Sequence, residues 1–168
     1  MADIIDGRVI SKKLKDELKL RVEELKNQGI ECALAFIQVG EDEASTVYMN
    51  SQQKGCAYVG VRSIEVKLPV ETTQEELLNL IHELNEDKAV NGILVETPVP
   101  DHINIKAIIS AIDPQKDMDG FHPYNMGMLT IGGKSNLPCT PAGVVELLKR
   151  SGYELEGKNC VVVGRSHN

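Results

Sequence analysis

The stretch from Lys116 to Pro123 combines several chemically active side chains within eight residues. It holds a lysine, two aspartates and a histidine, together with Gly120. Neither helical nor strand periodicity continues across it, so it predicts a shaped loop. Loops held between packed elements often carry binding residues. A polar surface turn would show the same spacing, and these residues alone do not separate the two interpretations.

The cysteines and histidines predict no metal cofactor. The four cysteines are widely scattered without a Cys-x-x-Cys pair, and the four histidines show no ligand spacing. No apolar run approaches the about 20 residues that span a bilayer, and no leader pattern begins the chain. We therefore predict a cytoplasmic protein with reduced thiols and no membrane partner.

Composition and charge indicate a globular protein that does not bind nucleic acid. The 168 residues are 42% hydrophobic and 26% charged, which is ordinary for folded domains. The net charge is -7, and no dense block of lysine and arginine appears.

Helix and strand patterns alternate along the chain, which predicts an α/β fold with a three-layer, parallel-sheet domain. The predicted strands cover residues 32–39, 61–68, 90–95 and the beginning of 158–168. The predicted helices cover about 6–29, 43–58, 73–84, 105–112 and 140–152. Thr72 or Thr73, with Glu75 or Glu76 three residues on, predicts a capping box. Thr140 is predicted to cap a further helix that begins at Pro141. Residues 129–137 are predicted to be irregular.

The first domain is predicted to cover residues 1–139. Residues 140–168 are predicted to be a linker helix and the first strand of a second, incomplete domain. A βαβ dinucleotide-binding domain would need on the order of 100 further residues.

Five short motifs follow one another along nearly the whole chain. They are VGEDEAS with Tyr48 at 39–48, NGILV with PVP at 91–100, DPQKDMDG at 113–120, PCTPAG at 138–143 and VVGRS at 162–166. Together they resemble the bifunctional methylenetetrahydrofolate dehydrogenase/cyclohydrolase family. One such motif recurs by chance, whereas five in order are specific. The resemblance implies a folate-binding catalytic domain, then a Rossmann-type NADP-binding domain, and assembly as a homodimer.

The resemblance also implies which residues bind and act on tetrahydrofolate derivatives. Tyr48, Gln52, Glu96 and Asp119 take the catalytic positions, and Val95 and Pro98 are additional substrate contacts. Asp119 matches the aspartate that binds the pterin ring, whose adjacent N–H groups suit a carboxylate. The alternative is that Asp119 only caps its turn.

Two positions depart from the family pattern. Gln52 stands where the family has a lysine, four residues after Tyr48 on one helix face. Lys54 lies about 120° farther around a helix from Tyr48 and is a poor substitute unless the helix is distorted or its side chain bends inward. Glu96 stands where the family has glutamine. It is expected to enter the pocket, although a strand end can also point a glutamate to solvent.

Other polar residues near these motifs are given structural or cofactor roles. Gly164, Arg165 and Ser166 are implied to contact the 2′-phosphate of NADP, with NAD left open and a frayed terminus as the alternative. Lys116 with Asp117 is predicted to be a loop ion pair. His122 is predicted to be a hydrogen-bonded structural residue, and Cys139 a buried, unreactive thiol.

The resemblance therefore implies an NADP-dependent oxidoreductase that converts 5,10-methylenetetrahydrofolate to 5,10-methenyltetrahydrofolate. Its place would be one-carbon metabolism, including purine biosynthesis. Cyclohydrolase activity is expected to be weak or absent, because a glutamine cannot transfer protons near neutral pH. The 168 residues alone are expected to be inactive as a dehydrogenase. The alternatives are a non-catalytic folate-binding or regulatory domain, and a nucleotide-binding domain that shares only the fold.

Overall fold

The computed structural model describes residues 4–164, and it confirms an α/β fold with a parallel sheet. The strands are β1 (Ala33–Val39), β2 (Arg62–Leu68) and β3 (Gly92–Val95). The helices are α1 (Gly7–Asn27), α2 (Glu43–Val59), α3 (Gln74–Glu86), α4 (Ile105–Ala111), α5 (Pro123–Thr130) and α6 (Cys139–Arg150). None of the described helices is long and apolar enough to cross a membrane.

The sheet has the order β2-β1-β3, and all its strands run parallel. Strand β1 lies in the centre, and its Ala35 is paired with Ile64 of β2 on one side and with Ile93 of β3 on the other. Every β1 residue except Leu34 is buried, as expected for a strand covered on both faces. The carboxyl ends of β1 and β3 therefore meet at one edge of the sheet.

Helices cover both faces of this sheet. On one face α3 and α4 pack over Ile37 and Ile93 with Leu77, Ile81 and Ile108, all nearly inaccessible to solvent. On the other face, a smaller cluster holds α2 against β1. Its buried members are Phe36, Met49 and Cys56. Because Met49 and Cys56 are seven residues apart, they fix which face of α2 turns toward the sheet.

Most predicted helix ends agree with the structure, but the start of α6 differs and one helix was not predicted. The Thr73–Glu76 capping box is present. Helix α6 begins at Cys139 without a side-chain cap, so the prediction that Thr140 caps it is wrong. A proline at the third helical position lacks only an N–H that would be unpaired in the first turn, which permits the earlier start. Helix α5 was not predicted, although His122 before Pro123 is a start signal.

The strand predicted from residue 158 is not formed in the part of the chain that is described. Residues 158–164 have no regular structure, and Val161, Val162 and Val163 are 85–96% exposed. A strand is stable only when a neighbour accepts its backbone hydrogen bonds, and the described residues provide none here. The predicted domain boundary between residues 139 and 140 stays a prediction.

Lys116 binds the end of a helix and does not form the predicted ion pair with Asp117. Its Nζ donates to the carbonyl oxygens of Leu84, Asn85 and Asp87, at 2.9, 2.6 and 2.9 Å. These carbonyls lie at the C-terminus of α3, where acceptors lack helical partners and the helix dipole attracts a cation. Lys116 thus anchors the start of the 116–123 loop.

Replacing Lys116 with methionine is expected to lower the free energy of unfolding by about 2 kcal/mol. The substitution keeps the apolar stem but removes charge-assisted hydrogen bonds to three acceptors. Urea denaturation would measure the change, with Lys88→Met as an exposed lysine control. Equal stabilities of the two variants would contradict an anchoring role for Lys116.

Candidate active site

A cavity of about 370 Å³ lies between α2 and the carboxyl end of β3. Its lining residues are Asp42, Ala44, Ser45, Tyr48, Gln52, Leu94, Val95, Glu96, Thr97, Pro98 and Asp119. All six positions predicted to contact substrate are among them. They come from three separate parts of the chain, so the fold brings together what the sequence holds far apart.

Helix α2 places Tyr48 and Gln52 on the cavity. Asp42 starts this helix, since its Oδ1 accepts a hydrogen bond from the Ser45 N–H at 2.7 Å. That hydrogen bond holds the pKa of the Asp42 carboxyl below its usual value. The Ser45 hydroxyl donates to the Thr97 carbonyl oxygen at 3.1 Å, which ties α2 to the segment after β3. Four residues separate Tyr48 from Gln52, so they share one helix face.

Glu96 is held at the carboxyl end of β3. Its N–H donates to the Ile37 carbonyl oxygen at 2.8 Å, which continues the pairing with β1. The residue is 6% exposed and lines the cavity, so the solvent-facing alternative is wrong. Lys54 is exposed and is not among the lining residues, so it does not supply a cation to Glu96 in this structure.

The turn that carries Asp119 is built by Asp117, which is 2% exposed. Its carboxylate accepts hydrogen bonds from the Gly120 N–H at 3.1 Å, the His122 N–H at 2.8 Å and the Asn125 amide at 2.8 Å. These contacts close the chain around one buried acceptor. The sequence analysis did not identify this role, although an aspartate three residues before a glycine is a turn signal.

Gly120 and Gly92 allow the close approaches on which this turn depends. Gly120 has φ +72°, and a Cβ there would lie 2.6–2.9 Å from the backbone of Leu137 and Pro138. At Gly92 a Cβ would overlap the Met118 side chain and lie 2.7 Å from Leu34. Any larger residue at either position would push the loop away from the sheet.

His122 and Cys139 lie beside this turn. His122 is hydrogen-bonded within the loop, as predicted: Nδ1 accepts from the Tyr124 N–H at 3.0 Å, and Nε2 lies 3.3 Å from the Ser110 carbonyl oxygen. The prediction that Cys139 is buried is wrong, because the residue is exposed. Its thiol nevertheless faces the Met118 carbonyl oxygen at 3.2 Å. Desolvation and the charges of Asp119 and Asp117 raise the pKa of this thiol, which opposes thiolate formation.

The cavity is acidic and has unfilled hydrogen-bonding capacity. Burial raises the pKa of Glu96, and the charge of Asp119 raises it further against an opposing hydrogen bond from Gln52. Burial, followed by the charge of Asp117, raises the pKa of Asp119. One oxygen of Gln52 and one of Glu96, both Oε1, are buried without a hydrogen-bond partner. A bound ligand can supply the missing partners.

The predicted cofactor residues do not form a site within the described part of the chain. Gly164 is exposed at its end, and Arg165 and Ser166 lie outside the described residues. Between residues 158 and 164 no cradle for a dinucleotide is formed, since the valines there are almost fully exposed. Among residues 4–164, no group of three or more His, Cys, Asp or Glu side chains is arranged to hold a metal ion.

Known proteins match this chain over nearly its whole length. Bifunctional protein FolD from Lachnoclostridium phytofermentans is 60% identical over 167 residues, which are 99% of this chain and 59% of that protein. The protein of the same name from Acetivibrio thermocellus is 55% identical over 166 residues, which are 99% of this chain and 58% of that protein. The chain thus spans about three fifths of the length of these curated relatives.

Solved structures show the same fold. The bifunctional enzyme FolD, a methylenetetrahydrofolate dehydrogenase/cyclohydrolase from Campylobacter jejuni, superposes with a TM-score of 0.95 at 47% identity. The match covers 98% of this chain and 58% of that one. The Trypanosoma brucei enzyme, solved with NADP cofactor and inhibitor, superposes with a TM-score of 0.88 at 38% identity. That match covers 94% of this chain and 54% of the Trypanosoma brucei chain.

Two family models divide the sequence. Residues 138–168 match the NAD(P)-binding domain of tetrahydrofolate dehydrogenase/cyclohydrolase, so the second predicted domain is of this type. Residues 5–119, more than half of the chain, match the catalytic domain of the same enzymes. The chain therefore belongs to the tetrahydrofolate dehydrogenase/cyclohydrolase family.

Proposed function

We propose that this protein binds a reduced folate in the cavity between α2 and β3 and oxidises 5,10-methylenetetrahydrofolate to 5,10-methenyltetrahydrofolate with NADP. The observation that carries the proposal is the meeting of Tyr48, Gln52, Glu96 and Asp119 in one cavity. Its volume of about 370 Å³ is in the range of small-molecule sites. One-carbon metabolism with purine biosynthesis, a homodimer and a cytoplasmic location remain predictions.

Asp119 binds the pterin ring in this proposal. The half-buried carboxylate stands on a rigid turn, so little conformational entropy is lost when a ligand binds. Its two oxygens accept hydrogen bonds from adjacent N–H groups of the pterin edge. Tyr48, which is 64% exposed beside the cavity, offers an aromatic surface to the bound ring.

Gln52 and Glu96 hold the one-carbon bridge in place. The amide of Gln52 can donate and accept hydrogen bonds, and the Oε1 atoms of both side chains await partners. NADP, when bound, supplies the acceptor for the hydride that leaves the bridge. The residues of this cavity contribute orientation and a fixed electrostatic environment to that reaction.

We propose further that cyclohydrolase activity is weak or absent. That step needs water activated and protons moved at the bridging nitrogens, and an amide has no titratable proton near neutral pH. Loss of a positioned proton-transfer group typically costs about 10²–10⁴-fold in rate. This proposal separates the protein from relatives whose names describe two activities.

The assignment is tested by assaying the intact gene product with methylenetetrahydrofolate and with NADP or NAD. The dehydrogenase proposal expects formation of methenyltetrahydrofolate with reduction of the nicotinamide. A cavity whose described lining holds no lysine or arginine also suits a non-catalytic folate-binding domain. Tight folate binding without turnover would support that second function and contradict the first.

Replacing Asp119 with asparagine is expected to weaken binding of 5-formyltetrahydrofolate by about 10–100-fold. The change removes a charge and turns one acceptor into a donor facing the N–H groups of the pterin. Isothermal titration calorimetry would measure it, with Asp101→Asn as an exposed control after β3. Unchanged affinity in the Asp119 variant would assign that carboxylate to the turn alone.

The same binding should depend on pH in a defined direction. An ionised Asp119 is needed to accept two hydrogen bonds, and burial raises the pKa of this carboxyl. Affinity should therefore fall as the pH is lowered, beginning above the usual aspartate range. The Asp119→Asn variant should lack this part of the pH dependence.

A further inference from the structure

The carboxyl groups of the cavity have no compensating cation among the described residues that line it. Asp42, Glu96 and Asp119 are lining residues, and no lysine or arginine within residues 4–164 is. Asp42 is already engaged as the cap of α2. Asp42 adds to the negative charge, and Glu96 and Asp119 are the carboxyl groups left to contact a ligand.

The buried carboxyl group of Glu96 has an incomplete set of hydrogen bonds. The residue is 6% exposed, and its Oε1 is buried without a hydrogen bond. The Oε1 of Gln52 in the same cavity is also buried and unpartnered. A buried acceptor without a donor is unfavourable, and a buried carboxylate more so. Two such oxygens in one cavity favour a ligand that brings hydrogen-bond donors, and the carboxylate of Glu96 in addition favours positive charge.

The proposed reaction produces such a ligand. When a hydride leaves the N–CH₂–N bridge, one C–H bond breaks and its electron pair moves with the hydrogen to the oxidised nicotinamide. The bridge becomes an N–CH–N amidinium that carries one positive charge over its two nitrogens. Nearby carboxylates stabilise this charge as it develops.

We propose that Glu96, supported by the charge of Asp119, makes this cavity select the cationic amidinium form of the folate bridge over uncharged forms. The inference rests on the proposed function and deepens it. Gln52 is part of the same selection, because an ammonium group at its position would repel the cation and neutralise Glu96. The neutral amide does neither.

A proton competes with the cation for Glu96. The groups that line the same cavity as Glu96 are Asp42 before α2, Tyr48 and Gln52 on α2, and Asp119 on its turn. Asp117 and Cys139 interact electrostatically with Asp119. Burial and the charge of Asp119 raise the pKa of Glu96, so this residue holds its proton to a higher pH than usual. The preference for a cation should therefore increase as the pH rises through that raised pKa.

The test compares two probes that differ in bridge charge. 5,10-Methenyltetrahydrofolate is a cation at the bridge, and 5-formyltetrahydrofolate is uncharged there. Their affinities are measured by calorimetry for the protein without substitutions and for the variants Glu96→Gln and Gln52→Lys. Glu41→Gln, which changes an exposed carboxylate, is the control. The readout is the ratio of the two affinities, which a general loss of folded protein does not change.

We expect the protein without substitutions to bind the cationic probe more tightly than the uncharged one. Glu96→Gln should reduce that ratio of affinities by about tenfold, because it removes a nearby charge from a partly desolvated site. Gln52→Lys should reduce it as well, and Glu41→Gln should not. A pH dependence of the ratio that is as large in Glu96→Gln as in the protein without substitutions would overturn the assignment to Glu96. An unchanged ratio of affinities in Glu96→Gln would also overturn this assignment, but it would not contradict the proposed binding of folate. Failure of both probes to bind the intact protein would reject the proposed function and this inference with it.

Discussion

Replacing Gln52 with lysine is expected to raise cyclohydrolase turnover by about 10²–10⁴-fold, which is the usual contribution of a positioned proton-transfer group. Position 52 lies one helical turn after Tyr48 and lines the same cavity as Glu96 and Asp119. A lysine there would reach the cavity from the helix face that Gln52 now occupies. The measurement is hydrolysis of methenyltetrahydrofolate by the intact protein, which requires no nicotinamide.

Glu96 decides how a lysine at position 52 would titrate. A carboxylate beside it would favour the charged ammonium form and oppose proton release. The double variant Gln52→Lys with Glu96→Gln removes that charge, and we expect it to gain more activity than the single variant. Asn50→Lys is the matched control, because the exposed Asn50 lies on another face of α2. Our explanation of the missing lysine would be refuted if neither Gln52 variant gained cyclohydrolase activity. It would also be refuted if the protein without substitutions already showed cyclohydrolase turnover equal to its dehydrogenase turnover.

Asp117→Ala is expected to destabilise the protein by about 3 kcal/mol and to weaken folate binding as well. The carboxylate accepts three hydrogen bonds within a buried turn, and its loss leaves those donors without a partner. Because Asp119 stands on this turn, its position in the cavity should be lost together with stability. Urea denaturation and calorimetry with 5-formyltetrahydrofolate would measure the two effects.

Two further variants separate the hydrogen bonds of Asp117 from general effects of substitution. Asp117→Asn keeps the shape and one acceptor oxygen, so its stability should lie between those of the original protein and Asp117→Ala. Asp101→Ala removes an exposed carboxylate and should change stability little. A loss below about 1 kcal/mol in Asp117→Ala would show that the turn does not depend on this carboxylate.

Local patterns were enough to predict the main elements. The apolar run of β1, the capping box before α3 and the end of α2 near residue 58 all appear where the sequence indicates them. The two helix ends depend on residues close in the chain, and the apolar run is itself a local pattern. The shared face of Tyr48 and Gln52 likewise follows from helical geometry alone, whereas only the structure excludes Lys54 from the cavity lining.

The roles of the loop residues were decided by the tertiary structure. Lys116 and Asp117 are adjacent in the sequence, and their charges predict a pair. Lys116 instead binds carbonyl groups 29–32 residues away, and Asp117 organises the turn behind the cavity. Such contacts depend on which helix end and which strand lie beside the loop, and no local periodicity encodes that arrangement.

The sequence by itself determined the alternation of strands and helices, the family motifs and the glutamine that replaces a lysine. Only the tertiary structure placed Glu96 in a buried position with an unpartnered oxygen, and brought it into one cavity with Gln52 and Asp119. Within residues 4–164 it also left the valines at 161–163 exposed and outside the sheet. The physical reason is that residue type sets what a side chain can do, whereas burial and partners depend on strand order and packing.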